Sequence, residues 1–388
     1  MNFMFAGCSK LTELDLTRFN TEKVIDMPNM FEECSSLVSL DLSNWDMRKV
    51  ITMTSMFRMC TSLTNLNLNF AHISESLTNM PNMFDGCSSL VALDLSNWDA
   101  RKAVNMAAMF LGCTSLTNLN LNFPYTTESL TNMANIFNGC NELLSIDLSK
   151  FDTSKVADFG GLFSNCKKLA SLDLSNFNTN SLTSLRETFM NCESLQSLDI
   201  NHFNANQVTN MRACFLNCKN LRSLDLSNFE TPNLIEMWGT FKDCPSLETL
   251  KLNNFNAEKV TDMSMAFLGC SSLISLDLSS FKTSSATTMY HLFEGCTALK
   301  SLNVSNFVTD KIGDLGDLFL NCKSLESLDL SSFKTDSATS MWHMFDGCAS
   351  LKYLDISNFN RPKKTEYLTT FHAETDVVNS MESAKCFH

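Results

Sequence analysis

Met27, Met30, Phe31 and Cys34 follow one another at intervals of three, one and three, and this interval set returns at a nearly constant period along the chain. Aligned on Cys, the copies fall at 8, 34, 60, 87, 113, 140, 166, 192, 218, 244, 270, 296, 322 and 348, spaced 26 apart except for two gaps of 27. With Cys as position zero, Phe stands at −3 and Leu at +3 in all fourteen copies. Apolar residues at −7, −4, −3 and 0 form the one-sided stripe of an amphipathic helix, so each copy is expected to hold a helix of about two turns. Asp, Asn, Ser or Thr at −8 in twelve of thirteen copies reads as an N-cap, and Gly or Asn at −1 in eleven copies reads as a left-handed stop. Downstream, the L-x-x-L-D-L-S run alternates from +6 to +9 as a strand with one buried face does. An aromatic closes each copy at +11, or at +10 for Phe70 and Phe123.

A two-turn helix is not stable alone in water, because nucleation is costly and a single apolar face has nothing to bury against. Stacked neighbours supply that surface, and a fixed period in this range is the mark of a solenoid. The expected fold is α/β, about 14 stacked coils each of one short helix and one strand, with a single long parallel sheet. The solenoid is expected over 1–374. Its last half-repeat begins after Arg361-Pro362, keeps Tyr367 and Phe371 in phase, and carries Glu374 where Cys would stand. Residues 375–388 read as a polar tail.

Segments such as FEGCTALKSLNVSNF (293–307) and MWHMFDGCASLKYLDISNFN (341–360) carry the pattern M-x-x-M-F-x-x-C-x-S-L-x-x-L-D-L-S-x-F. This pattern resembles the roughly 26-residue repeat of BspA-like leucine-rich repeat surface proteins, a kind common among mycoplasma-type surface lipoproteins. The resemblance covers residues 1 to about 371. It implies a leucine-rich-repeat-like solenoid and a role at a cell surface or in secretion, often in adhesion. The N-terminus shows no signal peptide or lipid-attachment Cys, and residue 1 already falls inside a repeat, so a fragment of a longer protein or a cytoplasmic protein is also expected.

The Cys column bears on chemistry first. Cys34, Cys60, Cys87, Cys113, Cys140, Cys166, Cys192, Cys218, Cys244, Cys270, Cys296, Cys322 and Cys348 are expected as a structural ladder of buried free thiols, alongside the Phe column of Phe31, Phe163 and Phe293. Metal binding needs convergent Cys and His sets. The one close pair, Cys214 and Cys218, has Cys214 at the apolar −4 position, so no metal site is expected. The Met column at −7 is core by the same phase.

The +7 position holds Asp in ten of fourteen copies. Like charges about 5 Å apart repel by roughly 0.8 kcal/mol in water, so such a row needs cations or hydrogen-bond donors. Flanking Ser residues are the plain answer. The sharper reading makes the run Asp147, Asp173, Asp199 and Asp225 a ligand-binding row for Ca²⁺ or a basic partner. A uniform face suits a repetitive ligand such as a glycan, while variation concentrates at +4, from Val38 and Val91 to Arg222, Glu248 and Lys300.

Residues 35–87 and 88–140 are near-copies, and SSFKTSSATTM recurs two repeats later as SSFKTDSATSM. Whole coils are thus gained as blocks, which suits a scaffold better than an active site. The six His, at 72, 202, 291, 343, 372 and 388, form no hydrolytic or metalloprotease motif, so no catalytic residue is expected. A formal charge of −13 and the lack of basic clusters speak against nucleic acid, and no apolar run reaches membrane-spanning length. The expected function is non-enzymatic binding or adhesion, with a protein or glycan as partner. An intracellular scaffold for protein–protein interaction is the alternative. The chain is expected to be a monomer, or to associate through an uncapped N-terminal end around Met1, Met4 and Phe5.

Overall fold

A computed structural model describes residues 1–360. The half-repeat expected over 361–374 and the tail at 375–388 lie outside the described residues. By their contacts the described residues form two compact units, one of Met1–Leu182 with Thr188–Leu195, the other of Thr183–Glu187 with the residues from Gln196 on.

Each unit is a parallel β-solenoid. Ten strands of three residues occupy +5 to +7: β1 Ser39–Asp41, β2 Asn65–Asn67, β3 Ala92–Asp94 and β4 Asn118–Asn120 in the first unit. The second unit has β5 Ser223–Asp225, β6 Thr249–Lys251, β7 Ser275–Asp277, β8 Ser301–Asn303, β9 Ser327–Asp329 and β10 Tyr353–Asp355. They pair in parallel with equivalent repeat positions opposite one another, as in Leu40↔Leu66 and Leu224↔Leu250. The strand at +6 to +9 is therefore shorter and earlier than its alternation predicts, with Leu at +6 as its only inward residue.

The single long sheet is also corrected, because the strands form five two-stranded sheets. In the first unit the breaks after β2 and β4 fall where the repeat is one residue longer, between Cys60 and Cys87 and between Cys113 and Cys140. What runs on between coils is a ladder at −8, from Asp26↔Thr52 through Asn105↔Asn132 in one unit and from Ser184↔Asn210 to Asp314↔Ser340 in the other. This ladder has five rungs from Asp26 to Asn132 in the first unit and seven from Ser184 to Ser340 in the second, so about 12 turns stand where the sequence predicts fourteen coils.

The expected helix in each coil is absent, and the described residues contain no helix. The stripe itself is buried: Met27, Met30, Phe31 and Cys34 are all fully covered. Its backbone, however, places a left-handed residue at both −5 and −1, as at Asn29 (φ 57) and Glu33 (φ 59), Asn82 (φ 54) and Gly86 (φ 73), and Ala213 (φ 51) and Asn217 (φ 62). One left-handed residue ends a helix, and one at every fourth position makes successive turns of the kind whose third residue takes positive φ.

The hydrogen bonds explain the choice. In the coil of Cys34, the N–H groups of Met27, Asn29, Phe31 and Glu33 donate to Thr52, Thr54, Met56 and Arg58 of the next coil at 2.7–3.1 Å, while Glu32 and Cys34 donate three positions back to Asn29 and Phe31. A helix would use nearly all of these donors within itself. The turn run uses every second one to bind its neighbour, so this side is a second inter-coil ladder. The −8 side chains behave as the N-cap reading required in one respect, since Asn105 Oδ1 accepts the Ala107 N–H at 2.9 Å and Asp262 Oδ1 that of Ser264 at 2.8 Å.

Inside, the −3 rings stack face to face from coil to coil, as in Phe31–Phe57 (5.4 Å, 5°), Phe137–Phe163 (5.6 Å, 10°) and Phe267–Phe293 (5.5 Å, 5°). A second internal ladder runs at +13, where Thr153 Oγ1 donates to the Asn178 carbonyl at 2.9 Å and accepts the Asn178 N–H at 2.8 Å. The buried hydroxyl of that corner is thereby answered by the next coil.

Candidate functional site

The thiols are locked away from chemistry. Along the ladder the Sγ donates to the carbonyl of the −3 Phe one coil back, for example Cys60 to Phe31 at 3.0 Å and Cys296 to Phe267 at 3.2 Å. That carbonyl already accepts the N–H of its own Cys, so the Phe oxygen uses both lone pairs. Burial pushes Cys34 up to about 11 and Cys60 and Cys348 up to about 12, and pushes Cys113, Cys166 and Cys296 well above the ordinary thiol range. A thiol that does not ionise is neither nucleophile nor ligand. All fifteen cysteines of the described residues are free, and Cys8 is the exposed one.

The strand edge is the open surface with chemistry to offer. In the first unit it carries a groove of about 1030 Å³, lined from +4 through +7 of successive coils by side chains that include Asp15, Ser39, Asp41, Thr64, Asn65 and Asn67. A second groove of about 580 Å³ continues over Asp94, Asn118, Asn120, Ser145 and Asp147. Val38, Val91 and Leu144 stand exposed at +4, at 45%, 47% and 55%, between the polar Thr64 and Thr117.

The carboxylates of this edge are answered locally. Each Asp at +7 turns back to accept the N–H two positions on: Asp41 from Ser43, Asp94 from Ser96, Asp147 from Ser149 and Asp173 from Ser175, all at 2.9 Å. The Ser43 amide and hydroxyl hold the Asp41 carboxyl below its usual range, with the Asn67 side chain adding to the effect, and Ser96 with Asn120 does the same for Asp94. The Asn residues that interrupt the Asp row are thus its partners, since register places Asp41 opposite Asn67 and Asp94 opposite Asn120.

In the second unit Lys251 takes that role, its Nζ 2.8 Å from Asp225 Oδ2, and holds Asp225 down to about 2. In the first unit, the coils of Asp147 and Asp173, where carboxylate follows carboxylate, form no strand. Asp329 and Asp355 do face each other in paired strands, with Glu326 and Lys352 bridged at 3.0 Å beside them.

Of the four Asp singled out from the sequence, Asp147 and Asp173 belong to the first unit, and Asp147 lines the second groove. Asp199 and Asp225 belong to the second unit, Asp199 accepting the Asn201 N–H at 3.3 Å. Among the described residues no three His, Cys, Asp or Glu side chains converge as a metal site would require, and no helix is long and apolar enough to cross a membrane. The Asn partners at +7 and the groove over the first coils escaped the sequence reading, although the two-repeat alternation of Asp with Asn was their visible sign.

A family model described as Mycoplasma protein of unknown function, DUF285, matches residues 1–90, 78–198, 118–223, 183–302 and 288–385. The chain belongs to the DUF285 family. No curated protein matches this DUF285 chain. Among solved structures it is similar to a leucine-rich repeat protein from Bacteroides ovatus, with 20% identity over 94% of this chain and 87% of that one and a TM-score of 0.52. It is also similar to a leucine rich cell surface protein from Faecalibacterium prausnitzii, with 16% identity, 84% and 87% coverage and a TM-score of 0.37. The first likeness shows the fold, a leucine-rich-repeat-like solenoid.

Proposed function

We propose that this DUF285 chain is a non-enzymatic binding module of a BspA-like surface or secreted protein, acting in adhesion by recognising protein or glycan through its solenoid edges. The observation that carries the reading is the strand-edge groove of the first unit, where amides, hydroxyls and carboxylates stand in register beside exposed Val38 and Val91. These side chains contribute little to the stack, which is held by the turn ladder, the Phe column and the buried thiols and threonines. Recognition residues can therefore vary while the scaffold persists, as the +4 position does. Asp147, Asp173, Asp199 and Asp225 enter as contacts for a basic or hydroxyl-rich partner. Catalysis would need a tuned group in a closed site, whereas the ladder thiols are buried and un-ionised and the strand-edge carboxylates are open and hydrogen-bonded to their own turns.

Fifteen free cysteines favour a second reading, an intracellular scaffold for protein–protein interaction in a reducing compartment. The test is an array of glycans and extracellular-matrix proteins probed with the purified chain, with and without Ca²⁺. The adhesion reading expects a ligand whose binding falls about tenfold or more in Asp41→Ala with Asn67→Ala, at unchanged melting temperature. Silence on the array together with capture of cytosolic proteins through the same residues would favour the scaffold.

A further inference from the structure

The turn edge of the second unit carries a feature that neither the stack nor the strand-edge groove uses. At position −6, successive coils hold Arg212, Trp238, Ser264, Tyr290, Gly316 and Trp342, so a large aromatic stands on every second rung. Trp342 is 47% exposed, and Trp238 and Tyr290 are half-buried. Apolar side chains at neighbouring positions −7, −4 and −3 go into the core, so a Trp outside it needs another reason.

The intervening rungs are shaped for the rings. A Cβ built on Gly316 would lie 2.8 Å from Trp342 Nε1 and 2.9 Å from its Cδ1, so the indole lies against the glycine and any side chain there would displace it. Ser264 is the small residue before Tyr290. Before Trp238 stands Arg212, whose guanidinium carbon sits 4.2 Å from the indole centroid.

We propose that Trp238, Tyr290 and Trp342 form a binding row for an extended, neutral β-1,4-linked polysaccharide. Two rungs are about 10 Å, twice the spacing of parallel strands. A β-1,4 chain turns each sugar over relative to the last, so it presents the same C–H face at every second sugar, with a repeat of closely similar length. Each aromatic face receives one such sugar face, and the rungs between them lie under the sugars that face away.

Charge supports a neutral partner. Arg212 and Lys242 flank Trp238, whereas Asp317, Asp314 and Glu294 act on Tyr290, with His291 set against two of those carboxylates, so cationic and anionic groups both border the row. At −5, His291 turns to Glu294 and, at 3.8 Å, to Asp317, while His343 reaches Asp317 at 3.4 Å and is the more exposed of the two, so it sets a polar group beside the row for hydroxyls. A polyproline peptide has a similar turn of about 9.3 Å, but it docks between aromatic walls. Here small residues lie between the rings and the Trp342 indole covers the glycine.

This inference rests on the binding-module reading and names its ligand and edge. The test is depletion of the purified full chain by chitin and by microcrystalline cellulose, followed by titration with chitohexaose and cellohexaose. The expected result is retention on at least one polysaccharide, weakened about tenfold or more by Trp342→Ala and abolished with Trp238→Ala added. Gly316→Ala, which keeps the ring but pushes it from its seat, should weaken retention too, while Asp41→Ala on the strand edge leaves it unchanged. Melting temperatures within about 4 °C of the parent exclude unfolding as the cause.

Failure of both polysaccharides to retain the parent chain overturns the inference. If the array then finds a ligand lost in the strand-edge variants, the binding-module reading still stands. Retention indifferent to Trp342→Ala, or capture of a polyproline peptide sensitive to it, also overturns the assignment.

Discussion

The sulfur of Cys166 donates to the carbonyl oxygen of Phe137, one coil back, at 3.1 Å. The Cys140 N–H bonds the same oxygen at 3.0 Å, so one Phe carbonyl ties its own turn and the thiol of the next. The thiol is therefore a spacer with a donor, small enough for the corner and polar enough to answer a buried carbonyl.

Thiol reactivity should divide sharply. In the folded chain a thiol reagent near neutral pH is expected to label Cys8 and to spare the other fourteen cysteines of the described residues, which react only after denaturation. Peptide mapping by mass spectrometry reads the sites. Rapid labelling of Cys166 or Cys296 in native protein would contradict the buried ladder.

The same thiols make stability fall in alkali. Their folded pKa values lie above the unfolded value, about 11 for Cys34 and about 12 for Cys60 against 9.0, so the folded state holds protons that the unfolded chain releases. The stability is complete below pH 9 and is lost as pH rises toward 12. Urea midpoints measured from about pH 8 upward should decline, and less steeply when ladder cysteines are replaced by Ala.

At the acid end the sign reverses. Asp225 is held down to about 2 by Lys251 first and then by Ser227, so its contribution is present above the unfolded value of 3.8 and disappears as pH falls through about 2. Lys251→Ala should raise the Asp225 pKa toward 3.8 in an NMR titration. An unmoved Asp225 would show that Ser227 alone sets it. Both side chains are largely exposed, so the stability change should be small.

Core substitutions should rank by what each coil loses. Phe163→Ala removes a ring stacked on both Phe137 and Phe189, at 5.6 and 5.8 Å, and should cost about 3–5 kcal/mol by chemical denaturation. Asn165→Ala puts a Cβ-bearing residue without a helping side chain at φ 61 and should cost about 1–2 kcal/mol, whereas Asn165→Gly should be close to neutral. Equal effects of Ala and Gly would mean that Asn165 matters through its hydrogen bonds to Asn138 and Ser164.

The period, the buried stripe and the inward Leu at +6 were legible because they depend on which residues are apolar, and burial follows that directly. The expected helix is absent because the stripe at −7, −4, −3 and 0 fits a chain of turns equally well. The residue that decides between them, at −5, is Asn29, Ser55, Ala108, Met265 or His291, with no shared chemistry. Its left-handed backbone is imposed by bonds to the next coil, such as Asn29 N–H to Thr54, which a single repeat cannot reveal. The groove was obscured for a related reason. Asn67 and Asn120 look like gaps in an Asp row until register sets them opposite Asp41 and Asp94. The buried Thr column at +13, with Thr153, Thr231 and Thr309, was present in the sequence as a recurring Thr, but its partner is the backbone of a neighbouring coil.

Each coil directs every second N–H from −7 to −1 to its neighbour through left-handed turns, which fixes both the inert thiol ladder and the two outer edges. Far-UV circular dichroism of the purified chain tests it most directly. The account predicts a spectrum without the double minimum of helix, lost cooperatively on heating. A strong helical double minimum, scaling with the number of repeats, would contradict it and restore a helix to every coil.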